Sequence, residues 1–358
     1  MMLEKVDPSV VGLSQERLER VTRWLEQQVD EGKLAGASTL VARRGKIAYL
    51  HCAGFADKEA GKVLAPDTIV RIYSMTKPLT TVAAMMLYEE GCFQLDDPVA
   101  RYLPEFGDTP VWRGGDAPIT DVEEQRSPML VKQLMSHTSG LSYHFMNSTP
   151  VDAQYREQAI EFQSHSESLA EMTRRLASIP LLCQPGGQWN YSVATDVLGR
   201  LIEVLSGMRL TDFFRQRIFA PLKMIDTGFS VPEQTQHRFA SLYVPAVGGD
   251  MSSVGGAAAP VPQEERGGLV LQESSTQSEY FEEPMSCSGG GGLVSTIGDY
   301  ARFCQMLINE GELDGERLLA PSTLRYMRTN QLPNNCDMAA MGQPVWSETS
   351  YDGIGFGL

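Results

Sequence analysis

The stretch from Ser74 to Gly91 constrains this chain most. Leu79, Val82, Ala83, Met86 and Leu87 recur with the 3.6-residue period of an amphipathic helix. That pattern predicts a helix over Met75 to Glu90, stopped by Gly91. Ser74-Met75-Thr76-Lys77 stands at its head. A helix start leaves backbone N–H groups unpaired and concentrates positive partial charge, so the Ser74 N–H is placed to donate to a developing oxyanion. Positions i and i+3 share a face, which brings the Lys77 amine toward the Ser74 hydroxyl. A hydroxyl at its free pKa is a weak nucleophile and needs a base at hydrogen-bond distance. Lysine can serve when burial and a neighbouring cation depress its pKa. The plainer alternative is a Ser74 that merely caps the helix, with Lys77 in solvent. A lone Ser-x-x-Lys in a chain of this length is weak evidence, since roughly 0.6 are expected by chance; its position carries the weight.

Around this helix the other elements follow from period and punctuation. Ser14 caps a first helix whose face is Leu18, Val21, Leu25 and Val29, ending at Gly32. Ser38 to Ala42 and Lys46 to Cys52 predict two strands about the turn Arg43-Arg44-Gly45. Between about 92 and 209 the pattern is helices and loops, with helical pieces at Leu130 to Ser136, Leu169 to Ile179 and Ala194 to Leu205. Residues 246 to 288 are the loosest part, a long surface excursion with a short strand at Leu269 to Leu271. Thr296-x-x-Asp299 resembles a capping box before a helix carrying Tyr300, Phe303, Met306 and Leu307. The final GIGFGL predicts the start of a strand.

Composition narrows the function classes. Lys+Arg of 30 against Asp+Glu of 45 gives −15, which disfavours a nucleic-acid backbone or an anionic membrane as partner. No apolar run is long enough to span a bilayer, and the first ten residues lack a secretory pattern, so the expected location is cytoplasmic. Cys52, Cys92, Cys183, Cys287, Cys304 and Cys336 show no C-x-x-C spacing and are expected as reduced packing thiols. H-E-x-x-H, the phosphate loop and G-x-G-x-x-G are absent, so no metal and no cofactor is expected.

Five blocks together resemble one family. Arg71-Ile72-Tyr73-Ser74-Met75-Thr76-Lys77-Pro78-Leu79-Thr80 is similar to the nucleophile motif of the serine β-lactamase-like superfamily, and most similar to that of the family VIII carboxylesterases, relatives of class C β-lactamases. Leu134 to Leu141 resembles L-x-S-H-T-S-G-L, and Pro185-Gly186-Gly187 with Tyr191-Ser192 resembles P-G-x-x-x-x-Y-S. Asp196 to Glu203 continues that segment in family style, and Ser288 to Thr296 resembles S-G-G-G-G-L-x-S-T. The resemblance implies an α/β fold of the β-lactamase/transpeptidase type, with an antiparallel sheet flanked by helices. Residues 1–90 and 210–358 would form an α/β domain, and 91–209 a helical lobe. It implies Ser74 as the acylated nucleophile, with Lys77 and Tyr191 sharing its proton; a tyrosine becomes a usable base only beside a cation, which Lys77 would be.

Two departures shape the expected activity. The Tyr-x-Asn of β-lactamases is replaced by Tyr191-Ser192-Val193, which shifts the expectation from β-lactams toward esters. The third motif, Lys-Thr-Gly or a Trp-Gly-Gly type, is absent, so the fold is expected to lack its C-terminal strands and to leave a sheet edge open. The reading is therefore a serine carboxylesterase acting on a small-molecule, short-chain ester. A β-lactamase or D,D-peptidase, a transesterifying acyltransferase and a catalytically silent scaffold are the alternatives, and oligomeric state is left open. Tyr143, Gly290 and Gly291 are candidate substrate contacts, though Tyr143 could equally be packing and the Gly289–Gly292 run a tight backbone crossing. His137 is expected to be structural, since no G-x-S-x-G elbow exists to pair with it. Asp121 to Glu124 is expected as a solvated turn, and Met85-Met86 as core.

Overall fold

The computed structural model describes residues 3–247, 267–342 and 352–358. Helix α1 (Gln15–Asp30) starts where Ser14 accepts from the Arg17 N–H, and it buries Leu18 and Leu25. Strands β1 (Gly36–Arg43) and β2 (Lys46–Asp57) form an antiparallel hairpin, extended on the β2 side by β3 (Lys62–Val63). Its turn uses positive φ at Arg44 and Gly45, as a two-residue hairpin turn requires. Among the described residues β2 is the only ladder partner of β1, so the other edge of β1 is free. That side adjoins a cavity of about 510 Å³ lined by Leu40, Val70, Ile72, Met75, Tyr300 and Ile308, among others.

Strand β4 (Val70–Arg71) leads through a 3-10 turn, Tyr73–Met75, into helix α2 (Thr76–Glu89). The helix begins one residue later than its apolar pattern predicts. It is also buried all round from Leu79 to Leu87, Met85 and Met86 included, so it is the central helix of the main core and not a surface one.

Short strands β5 (Val111–Trp112) and β6 (Val122–Glu123) pair antiparallel inside the stretch that sequence pattern assigned to helices and loops. Two-residue strands carry no readable alternation, which explains the omission. Glu123 is correspondingly no solvated turn residue, since it bonds Arg113, Arg126 and Gln184. Helices α3 (Val131–Met135), α4 (Pro150–Glu157), α5 (Leu169–Ala177) and α6 (Ala194–Ser206) follow, then α7 (Leu210–Phe214), a π-turn Arg215–Phe219 and α8 (Ala220–Leu222).

Strands β7 (Leu242–Pro245) and β8 (Leu269–Glu273) pair antiparallel, so the strand expected at Leu269 is present and longer. Residues 248–266 of the expected surface excursion lie outside the described residues. Strand β9 (Val294–Ser295) pairs with β4, which ties the glycine run to the strand before Ser74. Thr296 caps α9 (Ile297–Ile308) through the Asp299 N–H, but the Asp299 carboxylate accepts from Asp226 and Thr227 instead of closing the box. The small hairpin β10 (Glu312–Leu313) and β11 (Glu316–Arg317), then α10 (Pro321–Met327) and α11 (Met338–Met341), complete the elements. Every ladder between named strands is antiparallel, as the expected α/β architecture requires. Ile354 to Leu358 forms no strand, and its backbone bonds Met338, Gln331 and Met327. The six cysteines are unpaired, and no helix among the described residues is long and apolar enough to cross a membrane.

Candidate active site

Ser74 is presented by the 3-10 turn between β4 and α2. The residue before it, Tyr73, holds φ at 42°, a left-handed conformation unfavourable for an aromatic side chain. The flanks hold that turn in place. Ile72 donates to the Leu293 carbonyl at 3.0 Å, and Arg71 lies buried against Phe239, pairing with Glu273 at 2.5 Å. A strand-to-helix turn therefore exposes this serine, although the G-x-S-x-G sequence is missing.

Lys77 Nζ donates to Ser74 Oγ at 3.1 Å and to the Gly290 carbonyl at 2.7 Å. Tyr191 Oη donates to Ser74 Oγ at 2.5 Å, across 117 residues of sequence. The Lys77 ammonium group also sits 4.5 Å from the Tyr191 ring centroid and 5.4 Å from that of Tyr143. Ser74, Lys77 and Tyr191 thus meet at one point, and the serine oxygen contacts both candidate proton carriers.

The glycine run lies on this cluster as a tight backbone crossing. A Cβ on Gly289 would stand 2.8 Å from the Thr195 carbonyl, and one on Gly290 only 2.4 Å from Asp196 Oδ2. Thr80 of α2 donates to the Gly289 carbonyl at 2.7 Å. Gly290 has both backbone groups engaged, its N–H by Asp196 Oδ1 at 2.9 Å and its carbonyl by Lys77. Gly291 lies against the Tyr73 backbone, in ordinary van der Waals range of an added Cβ.

An aromatic wall continues from Tyr191. Its ring lies 5.3 Å from Tyr143, which stacks on Phe145 at 4.6 Å, and 5.0 Å from His137. Burial pushes the Tyr143 hydroxyl well above the ordinary phenol value, with the Asp196 charge acting the same way. His137 adopts φ of 55° at the end of α3, and its Nδ1 lies 3.2 Å from Ser192 Oγ. Burial, assisted by the Lys77 charge, drives its pKa down to about 3, so the ring is a neutral brace behind Tyr191. Trp189 and Phe356 close on the same imidazole at 6.2 and 5.8 Å.

Asp196 adjoins this cluster, at a position that sequence pattern did not single out. Its carboxylate is 2 % exposed in the first turn of α6 and accepts from Ser288 Oγ at 2.5 Å as well as from Gly290. A lone acidic residue inside an apolar helical face, Val197, Leu198, Leu201 and Ile202, was the available signal. Val193, where a β-lactamase asparagine would stand, is buried and donates to the Ser142 carbonyl at 3.1 Å, so no amide enters the cleft there. No group of three or more metal-ligating side chains occurs among the described residues.

Known proteins resemble this chain over most of its length. The family described as Beta-lactamase matches residues 21–356. An uncharacterized protein of Mycobacterium tuberculosis is 35% identical over 336 residues, covering 93% of this chain and 76% of the relative. Esterase EstB of Burkholderia gladioli is 32% identical over 361 residues, covering 100% of this chain and 83% of that protein. Among solved structures, EstCE1, "a hydrolase with promiscuous acyltransferase activity", superposes with a TM-score of 0.72 at 30% identity, over 96% of this chain and 82% of its own.

Proposed function

The chain belongs to the Beta-lactamase family, near the family VIII carboxylesterases, and from that premise we propose that it is a serine carboxylesterase acting through an acyl-enzyme on Ser74. The observation that carries this is the double contact on Ser74 Oγ, from Tyr191 at 2.5 Å and Lys77 at 3.1 Å. Ser74 Oγ attacks the ester carbonyl carbon as its proton passes to the Lys77–Tyr191 pair. The Ser74 N–H, at the helix start, faces the charge that develops on the carbonyl oxygen. Collapse breaks the bond to the alcohol oxygen, which receives the proton back from the pair. Water then repeats the sequence on the acyl-enzyme and releases the acid. The two carriers act jointly as one coupled proton-holding pair.

The buried Val193 in place of an amide favours esters over β-lactams. Tyr143, Gly290 and Gly291 frame the same cleft and are proposed as its substrate-side wall. We place that cleft between an α/β domain, 1–90 with 210–358, and a helical lobe, 91–209. Support comes from Ser74 and Tyr191 lying in different ones of these segments yet in contact. The substrate is a small-molecule ester, not a nucleic acid or a membrane. Six unpaired thiols support a cytoplasmic location, which cell fractionation checks.

The test is intact mass after a fluorophosphonate probe, with peptide mapping and hydrolysis of short p-nitrophenyl esters alongside. One adduct on Ser74, and its loss together with ester turnover in Ser74→Ala, is the expected result. An undiminished ester rate in that variant overturns the proposal. Nitrocefin turnover faster than ester turnover would move the activity to β-lactams. A transesterifying reading follows the solved relative's described acyltransferase activity and requires product formation with an added alcohol acceptor.

A further inference from the structure

Lys77 must keep one orientation and a controlled charge, yet among the described residues no carboxylate forms an ion pair with it. The nearest buried anion stands one residue's backbone away. Asp196 Oδ1 takes the Gly290 N–H at 2.9 Å, and the Gly290 carbonyl takes Lys77 Nζ at 2.7 Å. Ser288 Oγ, 2.5 Å from the same carboxylate oxygen, fixes the other end of the turn. Gly290 is thus clamped between an anion and a cation, and any side chain on it would strike the carboxylate.

We propose that Asp196 is a positioning residue for catalysis: acting through Gly290, it aims the carbonyl that holds Lys77 and supplies the buried counter-charge to that ammonium. The inference rests on the serine-esterase reading above. Its location is costly. Burial is the main influence raising the Asp196 carboxyl above its ordinary value, opposed by Ser288, Lys77 and the Gly290 N–H. A carboxylate serving only to hold the turn could be a neutral amide at the same place, because both hydrogen bonds converge on one oxygen that an asparagine also has.

The titratable groups facing Lys77 are Tyr191 and Tyr143 from the aromatic wall, neutral His137 behind them, and Asp196 from α6. Removing the anion favours the less protonated state of the Lys77–Tyr191 pair. The pH profile of Ser74 reactivity should therefore move to lower pH.

The experiment is the pH profile of Ser74 phosphonylation in the parent, Asp196→Asn and Ser288→Ala, with thermal melts to confirm folding. In Asp196→Asn the acid limb is expected at lower pH, with the rate below that limb raised and Tm not reduced. Ser288→Ala removes one hydrogen bond from the carboxylate and not the carboxylate itself, so its limbs should move less than those of Asp196→Asn. Gly290→Ala is an independent route, since its Cβ displaces the carboxylate, and it should shift the limbs in the same direction. If the limbs of folded Asp196→Asn and Gly290→Ala coincide with the parent's, the inference is overturned while the esterase reading stands. An unlabelled parent overturns that reading, and this inference with it.

Discussion

Two buried aspartates in this molecule accept from nearly the same donors and behave oppositely. Asp57, near the end of β2, takes Ser275 Oγ at 2.6 Å, Ser241 Oγ at 3.0 Å and the Ala60 N–H at 2.9 Å, pinning the β7–β8 region to the first sheet. Its carboxyl is held below the ordinary value, chiefly by the Ser275 hydroxyl and then the Ala60 N–H. Asp196 has one serine and one backbone N–H, and its carboxyl is pushed up because burial outweighs them. The difference is the number of donors against the depth of burial. Asp57 is saturated close to water and stabilises the fold as an anion. Asp196 is under-supplied in the interior and faces a cation, which is a poor arrangement for stability and a useful one for setting a charge.

The strongest way to break the comparison is at the site alone. Tyr191→Phe removes the 2.5 Å contact to Ser74 and touches neither aspartate. Ester kcat should fall roughly 10²- to 10⁴-fold with little change in Tm. A loss under threefold would mean that Tyr191 is not a proton carrier and that Lys77 acts by itself.

The next effect is on acid stability. His137 is neutral in the folded protein down to about pH 3, whereas the unfolded chain takes up its proton near the ordinary value of 6.5. The unfolded state therefore binds more protons between those values, and stability falls as pH drops through that window, by at most about 1.4 kcal/mol per pH unit. Asparagine tolerates the positive φ at this position, so His137→Asn should fold and melt with a flatter acid limb. Parallel limbs in parent and variant would show that this imidazole is protonated where it stands.

Smallest is the effect at the other aspartate. Asp57→Ala leaves two hydroxyls and an N–H without their acceptor and should cost about 1–3 kcal/mol at neutral pH. Because the folded carboxyl titrates below the unfolded value of 3.8, the contribution is complete above that pH and fades as pH falls below it. The gap between parent and variant in denaturant melts should close accordingly. Phosphonylation of Ser74 should not change in rate; a tenfold loss would erase the distinction between the two aspartates.

Much of this molecule is legible in the residues themselves, where the relevant contacts are local. The apolar period from Leu79 to Leu87 places α2, and three-residue spacing on a helical turn brings Lys77 to Ser74. Ser14 and Thr296 mark helix starts because a cap bonds only three residues onward. Tyr191 as a partner was readable through family resemblance and not through periodicity. The β5–β6 pair was not readable, since two-residue strands have no alternation, and the glycine run left its two readings open because a backbone crossing leaves no local pattern. The terminal Ile354 to Leu358, strand-like in composition, is instead tied to residues 327–338 by long-range bonds.

Sequence by itself determined that Ser74 and Lys77 would stand together at the head of α2, because that depends on intervals of three and four residues. Only the tertiary structure decided that His137 would be neutral and that Asp196 would stand behind Lys77. Each of those rests on α2, α6 and the Ser288–Gly292 turn packing within a few ångströms of one another, and burial at that meeting point sets the charges there.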